Sequence, residues 1–293
     1  MKYAALAACL LLAACGTASF TLPPPGQAAA GHYVWRPLEG LSQPRSDFDS
    51  AAAIAPRVFP FGQFLYNLYT AHDGERWITG ISASRDGLDW NLGRKALAPD
   101  ARIWEGERMA AYGGALLIDG LIHYWYTAGD PPRIALARSH DGRSWRREQE
   151  PVLGPGAADA WDGHAAAYPA LLEAGGAYYM YYVGFDAAGR ARLGLARSSD
   201  GVSWTRLRAN PLLDLPAPAG AAVWRAQGAY WMLAPLSAGR LTLARSGDGL
   251  AWKPLPLEFE GAWPSVLPAE GHARVWYSLG GAFRAGRLDW IPE

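Results

Sequence analysis

Ser84-Arg85-Asp86-Gly87-Leu88-Asp89-Trp90 is the stretch on which the fold turns. Its pattern, Ser-x-Asp-Gly-x-x-Trp, returns as Ser139 to Trp145, Ser198 to Trp204 and Ser246 to Trp252. The tryptophans stand 55, 59 and 48 residues apart, a period that belongs to propeller blades of four strands and not to helical repeats. In each copy the Asp can hydrogen-bond the backbone of its own turn, the Gly accepts positive φ, and the Trp can cover the turn. Asp86, Asp141, Asp200 and Asp248 therefore read as turn formers and not as catalysts.

Working outward, each copy follows a strand-like run such as Ile134-Ala135-Leu136-Ala137-Arg138 or Leu193-Gly194-Leu195-Ala196-Arg197, in which apolar and small or polar residues alternate. Further upstream lies an aromatic run, for example His123-Tyr124-Trp125-Tyr126 or Tyr178-Tyr179-Met180-Tyr181-Tyr182, suited to a packed, pleated surface. Before that comes an apolar segment ending in a turn. Each unit is thus four strands.

A fifth unit, from Trp263 to Trp290, supplies about three strands. His32 to Leu38 precede the first full unit and can supply the fourth, joining the chain ends and removing exposed edges. The expectation is an all-β, five-bladed β-propeller over residues 32–293 with its N-terminal strand closing the last blade. A chain of 293 residues with 50% hydrophobic content, 14 Trp and 14 Tyr has ample material for that core.

Met1-Lys2, the apolar Ala4 to Ala14, and Leu12-Ala13-Ala14-Cys15 resemble a bacterial lipoprotein signal. The resemblance implies removal of residues 1–14, lipidation of Cys15, and a domain held to a membrane in the cell envelope. Gly16 in place of Asp implies sorting to the outer membrane, with the domain periplasmic or surface-exposed. Residues 15–31, with Pro23-Pro24-Pro25 and Ala28-Ala29-Ala30, read as a flexible tether. With Cys9 lost in the signal, the folded domain has no disulfide to lean on.

Lys plus Arg and Asp plus Glu number 27 each, so no nucleic-acid footprint is expected. No nucleotide-binding, zinc-protease or dinucleotide motif is present, and six scattered His form no expected metal site. No cofactor is expected.

The repeat, with Tyr168-Pro169-Ala170-Leu171-Leu172 followed by its aromatic strand, resembles the five-bladed glycoside hydrolase superfamily of arabinanases, β-xylosidases, levansucrases and invertases, families 43 and 32 and relatives. The resemblance spans about residues 45 to 290. It implies a funnel at one end of the central channel, with carboxylates supplied by the innermost strands of the first three blades. Glycosidic hydrolysis needs two such carboxyls flanking the bond.

The acids nearest the starts of those strands are Asp47 and Asp49, Glu105 and Glu107, and Asp159 and Asp162. Trp104-Glu105-Gly106 parallels Trp161-Asp162-Gly163, so these two acids should face one another across the channel. By the resemblance, Asp49 would be the base, Glu107 the pKa modulator and Asp162 the general acid. The chain also departs from the superfamily, because Ala55-Pro56 stands where an Asp is usual. Trp104, Trp161, Trp224 and Trp263 are candidate stacking platforms for a sugar, with inter-blade packing as the alternative. Arg57, Arg108, His164 and Arg225 are candidate hydrogen-bond donors.

Three functions fit: a lipid-anchored glycosidase acting on oligosaccharide or polysaccharide fragments, a non-catalytic propeller that binds glycan or envelope partners, and a sialidase-like enzyme. The last suits least, since sialidases have six blades and the box here is one residue short.

Overall fold

The computed structural model describes residues 16–43, 46–91 and 93–293. The signal-like segment, Cys9 and Cys15 lie outside the described residues. Apart from a single 3-10 turn at Asp47–Asp49, the described elements are strands. They form five sheets, antiparallel except where Thr17–Ala18 joins, each led by its innermost strand.

Blade 1 is Ala52–Phe61, Phe64–His72, Trp77–Ser84 and Arg94–Leu97; blade 2 is Ala110–Ile118, Leu121–Ala128, Arg133–Ser139 and Arg146–Arg147. Blade 3 is Ala165–Ala174, Ala177–Phe185, Ala191–Ser198 and Thr205–Leu207, and blade 4 is Ala222–Ala226, Ala229–Ser237, Arg240–Ser246 and Lys253–Glu260. Blade 5 is Ala262–Ala269, His272–Leu279 and Ala282–Pro292, completed by Gly31–Leu38, which pairs antiparallel with Ala282–Pro292 from Gly31 opposite Pro292 to Leu38 opposite Ala285. The first strands of successive blades touch around the ring, and the fifth touches the first. This is the five-bladed propeller closed by its N-terminal strand.

The repeated heptapeptide makes the hairpin between the third and fourth strands of blades 1 to 4. Ser84 Oγ accepts the Gly87 N–H, and Asp86 Oδ1 accepts the N–H groups of Leu88 and Asp89 at 2.8 and 2.9 Å. Asp141, Asp200 and Asp248 repeat the arrangement. The glycine of each turn also docks on the blade before it. Trp125 Nε1 donates to Gly201 O at 2.8 Å, Tyr181 OH to Gly249 O at 2.8 Å, and Trp276 Nε1 to Gly87 O at 2.7 Å. A Cβ on Gly87 would lie 2.7 Å from the Trp276 ring, so the turn needs glycine for its contact as well as its φ of 77°.

Residues 16–30, read from sequence as a tether, form a strap across the propeller instead. Thr17–Ala18 adds a parallel strand to the outer edge of blade 3. Leu22 is buried in the cluster between blades 3 and 4. Pro23 O accepts from Tyr230 OH at 2.5 Å, Pro25 O accepts from Arg225 Nε at 3.1 Å, and Ala29 N–H donates to Gln227 O at 3.1 Å. A proline-rich stretch that leaves few N–H groups to satisfy can lie over strand ends in this way.

Candidate functional site

Near its start, each innermost strand of blades 1, 2, 3 and 5 breaks register. The residue at the break has positive φ: Ala55 at 52°, Tyr112 at 52°, Tyr168 at 56° and Trp263 at 57°. Such conformations cost non-glycine residues on the order of 1 kcal/mol or more and gather at functional positions. Three are held by a hydroxyl from the preceding blade. Ser278 Oγ accepts the Ala55 N–H at 2.8 Å, Thr70 Oγ1 the Tyr112 N–H at 2.9 Å, and Thr127 Oγ1 the Tyr168 N–H at 2.9 Å.

These bulges aim their side chains at the axis. Tyr112 of blade 2 lies 5.5 Å from Tyr168 of blade 3 and 4.6 Å from Trp263 of blade 5, and Tyr168 lies 4.9 Å from Trp263 between ring centroids. Blades 2 and 5 are not neighbours, so the trio spans the channel mouth. The aromatic surface continues through Trp77 and His72 on one side and Phe185 on the other. All six side chains are half-buried. Neither the Tyr112 nor the Tyr168 hydroxyl has a hydrogen-bond partner among the described residues. Burial raises the pKa of both phenols, Tyr112 with a smaller contribution from Tyr168, so both stay protonated.

Arg57 closes the channel beneath the mouth. Its Nε donates to Gly113 O at 2.6 Å, Nη1 to Pro264 O and Nη2 to Ala221 O at 3.3 Å. One guanidinium thereby joins blade 1 to blades 2, 5 and 4. Burial lowers its pKa to about 10, which leaves it charged at neutral pH.

The expected carboxylates sit elsewhere. Asp49 Oδ2 accepts from Tyr69 OH at 2.8 Å and Oδ1 accepts the Ser46 N–H at 2.7 Å. Asp162 is 1% exposed, and its Oδ2 accepts from Tyr182 OH at 2.7 Å and from Arg206 Nε at 2.8 Å. Glu105 holds the matching place in blade 2, bonded to Tyr126 OH and Arg147. Glu105 and Asp162 are equivalent, as the sequence parallel implied. They do not face one another, however, because each is drawn outward to a tyrosine on the second strand and an arginine on the fourth strand of its own blade. Glu107 is exposed with no hydrogen-bond partner among the described residues.

The remaining candidates divide between the mouth, the blades and the opposite face. Trp263 is at the mouth. Arg108 and His164 are exposed on the loops leading into blades 2 and 3, with Arg108 O accepting the Trp77 N–H. Trp104 packs on Gly129 of its own blade, and Trp161 packs on Tyr182, Gly184 and Gly194 of its own. Arg225 lies on the far face, next to the blade 4 hairpin, where it holds the strap. Sequence reasoning missed Tyr112 and Tyr168 as mouth residues. The available signal was positional, since Ala55-Pro56, Tyr168-Pro169 and Trp263-Pro264 share one register with Tyr112-Gly113. Among the described residues, no group of three or more His, Cys, Asp or Glu is placed to hold a metal.

No family model and no curated protein matches the chain. Solved structures do. A family 117 glycoside hydrolase produced by the marine bacterium Zobellia galactanivorans has a TM-score of 0.72 at 15% identity, covering 89% of this chain and 91% of that one. A protein of glycoside hydrolase family 130, described with mannoside phosphorylases and with hydrolases that target β-1,2 mannosidic linkages in Candida mannan, has a TM-score of 0.62 at 15% identity, covering 89% and 96%. A Bombyx mori family 32 β-fructofuranosidase has a TM-score of 0.62 at 17% identity, covering 91% of this chain and 63% of that one. The chain therefore has the five-bladed propeller fold of these glycoside hydrolases.

Proposed function

We propose that the protein binds carbohydrate at the channel mouth without hydrolysing it, as a lipid-anchored propeller of the cell envelope. The observation that carries this reading is the chemistry of the bulged positions. Ala55, Tyr112, Tyr168 and Trp263 occupy the strand starts around the axis, and none is a carboxylic acid. What they offer is a broad ring surface with two unpartnered phenol hydroxyls. Apolar sugar faces stack on such rings, and hydroxyls orient them.

The hydrolytic alternative, with Asp49 as base, Glu107 as modulator and Asp162 as acid, draws on the shared fold. Fold alone does not carry activity. Two of its three acids would first have to leave their tyrosines, and Asp162 would also have to leave Arg206. The test is retention on an oligosaccharide array by the domain from Gly16, run beside release from aryl arabinofuranosides, xylosides, fructosides, galactosides and sialosides. Retention without release supports the binding reading. Release that disappears in Asp162→Asn would establish the glycosidase instead.

A further inference from the structure

We propose that the far face of the propeller, opposite the aromatic mouth, rests directly on the bilayer, so that the mouth points away from the membrane. This orientation rests on the reading of Cys15 as lipidated and goes beyond it. Gly16 O accepts the Arg206 N–H at 3.0 Å and Ala18 O accepts the Arg208 N–H at 2.9 Å. Thr17–Ala18 runs parallel to Thr205–Leu207, a strand that leads away from the Asp200-Gly201 turn on the far face. Gly16 therefore stands at the far-face end of this added strand.

Reach decides the matter. A free linker of 16 residues would span roughly 20 Å and let the domain tumble. Here residues 16–30 are spent on the strap, and Cys15 is one peptide from Gly16, about 3.8 Å between Cα atoms. Acyl chains on Cys15 would hold the blade 3 edge at headgroup depth. The two large apolar side chains exposed among the described residues, Leu117 at 40% and Ile291 at 39%, both lie on this face. Leu117 adjoins the hairpin end where Ile118 pairs with Leu121, and Ile291 pairs with His32 at the far end of blade 5. Exposed Arg85, Arg143 and Arg197 stand on the same face and suit anionic headgroups. Asp86, Asp141 and Asp200 of the adjoining turns are engaged by their own backbone N–H groups, while Asp89 and Asp119 are also exposed on this face and offset part of its positive charge.

The experiment uses the processed full chain in vesicles containing spin-labelled headgroup lipid, with a bimane on Leu117→Cys or, for comparison, on Ala187→Cys in the exposed turn beside the mouth. Intact mass is read on the same samples. Quenching several-fold stronger at Leu117→Cys is expected. Equal quenching at the two sites, or stronger quenching at Ala187→Cys, with the lipid mass present would overturn the orientation alone. A mature chain without lipid mass would overturn the anchoring reading beneath it.

Discussion

At the scale of single residues, Asp162 shows how a carboxylate at a channel-side loop can be structural. It is buried against Tyr182 and Arg206, and Arg206 is itself 5% exposed. Removing one partner of such a pair strands the other charge. Asp162→Ala is expected to cost about 3–5 kcal/mol, measured by urea unfolding, whereas the same change at exposed Glu107 should be nearly neutral. The turn aspartates make a second prediction, about pH. The N–H groups of Ser144 and then Arg143 hold Asp141 down to about 2, and those of Asp89 and Leu88 hold Asp86 below its ordinary value. The folded chain thus binds fewer protons than the unfolded one. The contribution of these aspartates is complete above about pH 4 and is lost as pH falls toward 2. Asp141→Asn should flatten the acid limb of a Tm-against-pH curve. Glu105 runs the other way, because burial, opposed by Tyr126 and Arg147, raises its pKa; its contribution declines as pH rises through the carboxylate range.

At the scale of elements, the Asp-Gly turns act between blades as well as within them. Trp276→Phe keeps most of the ring packing but deprives Gly87 O of its donor, and a buried unmet carbonyl costs about 1–3 kcal/mol. An unchanged unfolding free energy in this variant would count against the turn as an inter-blade lock. The strap predicts likewise that Leu22→Ala destabilises by about 2–5 kcal/mol, although Leu22 stands outside every blade. The turns were legible because a local hydrogen-bond pattern has a local signature. The strap was not, because Phe20, Leu22 and Pro23 find their partners in Tyr179, Gly249 and Tyr230, far along the chain. The mouth was half legible. Trp263 was singled out, while Tyr112 and Tyr168 were not, because only the bulge turns them to the axis. What the sequence could not show is that Asp49, Glu105 and Asp162 are each bonded to a buried tyrosine, Tyr69, Tyr126 and Tyr182.

At the scale of the whole molecule, ring closure depends on Gly31–Leu38, whose loss would bare the edge of Ala282–Pro292. A chain beginning at residue 40 is expected to aggregate or elute as higher oligomers on gel filtration. Inside the closed ring, Arg57 and the aromatic trio fill the axis, so a ligand must lie across the mouth and cannot thread the channel. The proposed recognition of sugar rests on that surface. The most direct measurement is calorimetric titration of array-selected oligosaccharide into the wild-type domain and into Trp263→Ala, with the cell contents analysed for cleaved sugar afterwards. Binding weakened roughly tenfold or more in the variant, about 1.4 kcal/mol, with the oligosaccharide recovered intact, is the predicted result. Unchanged affinity in Trp263→Ala, or cleaved sugar in the wild-type cell, would contradict it.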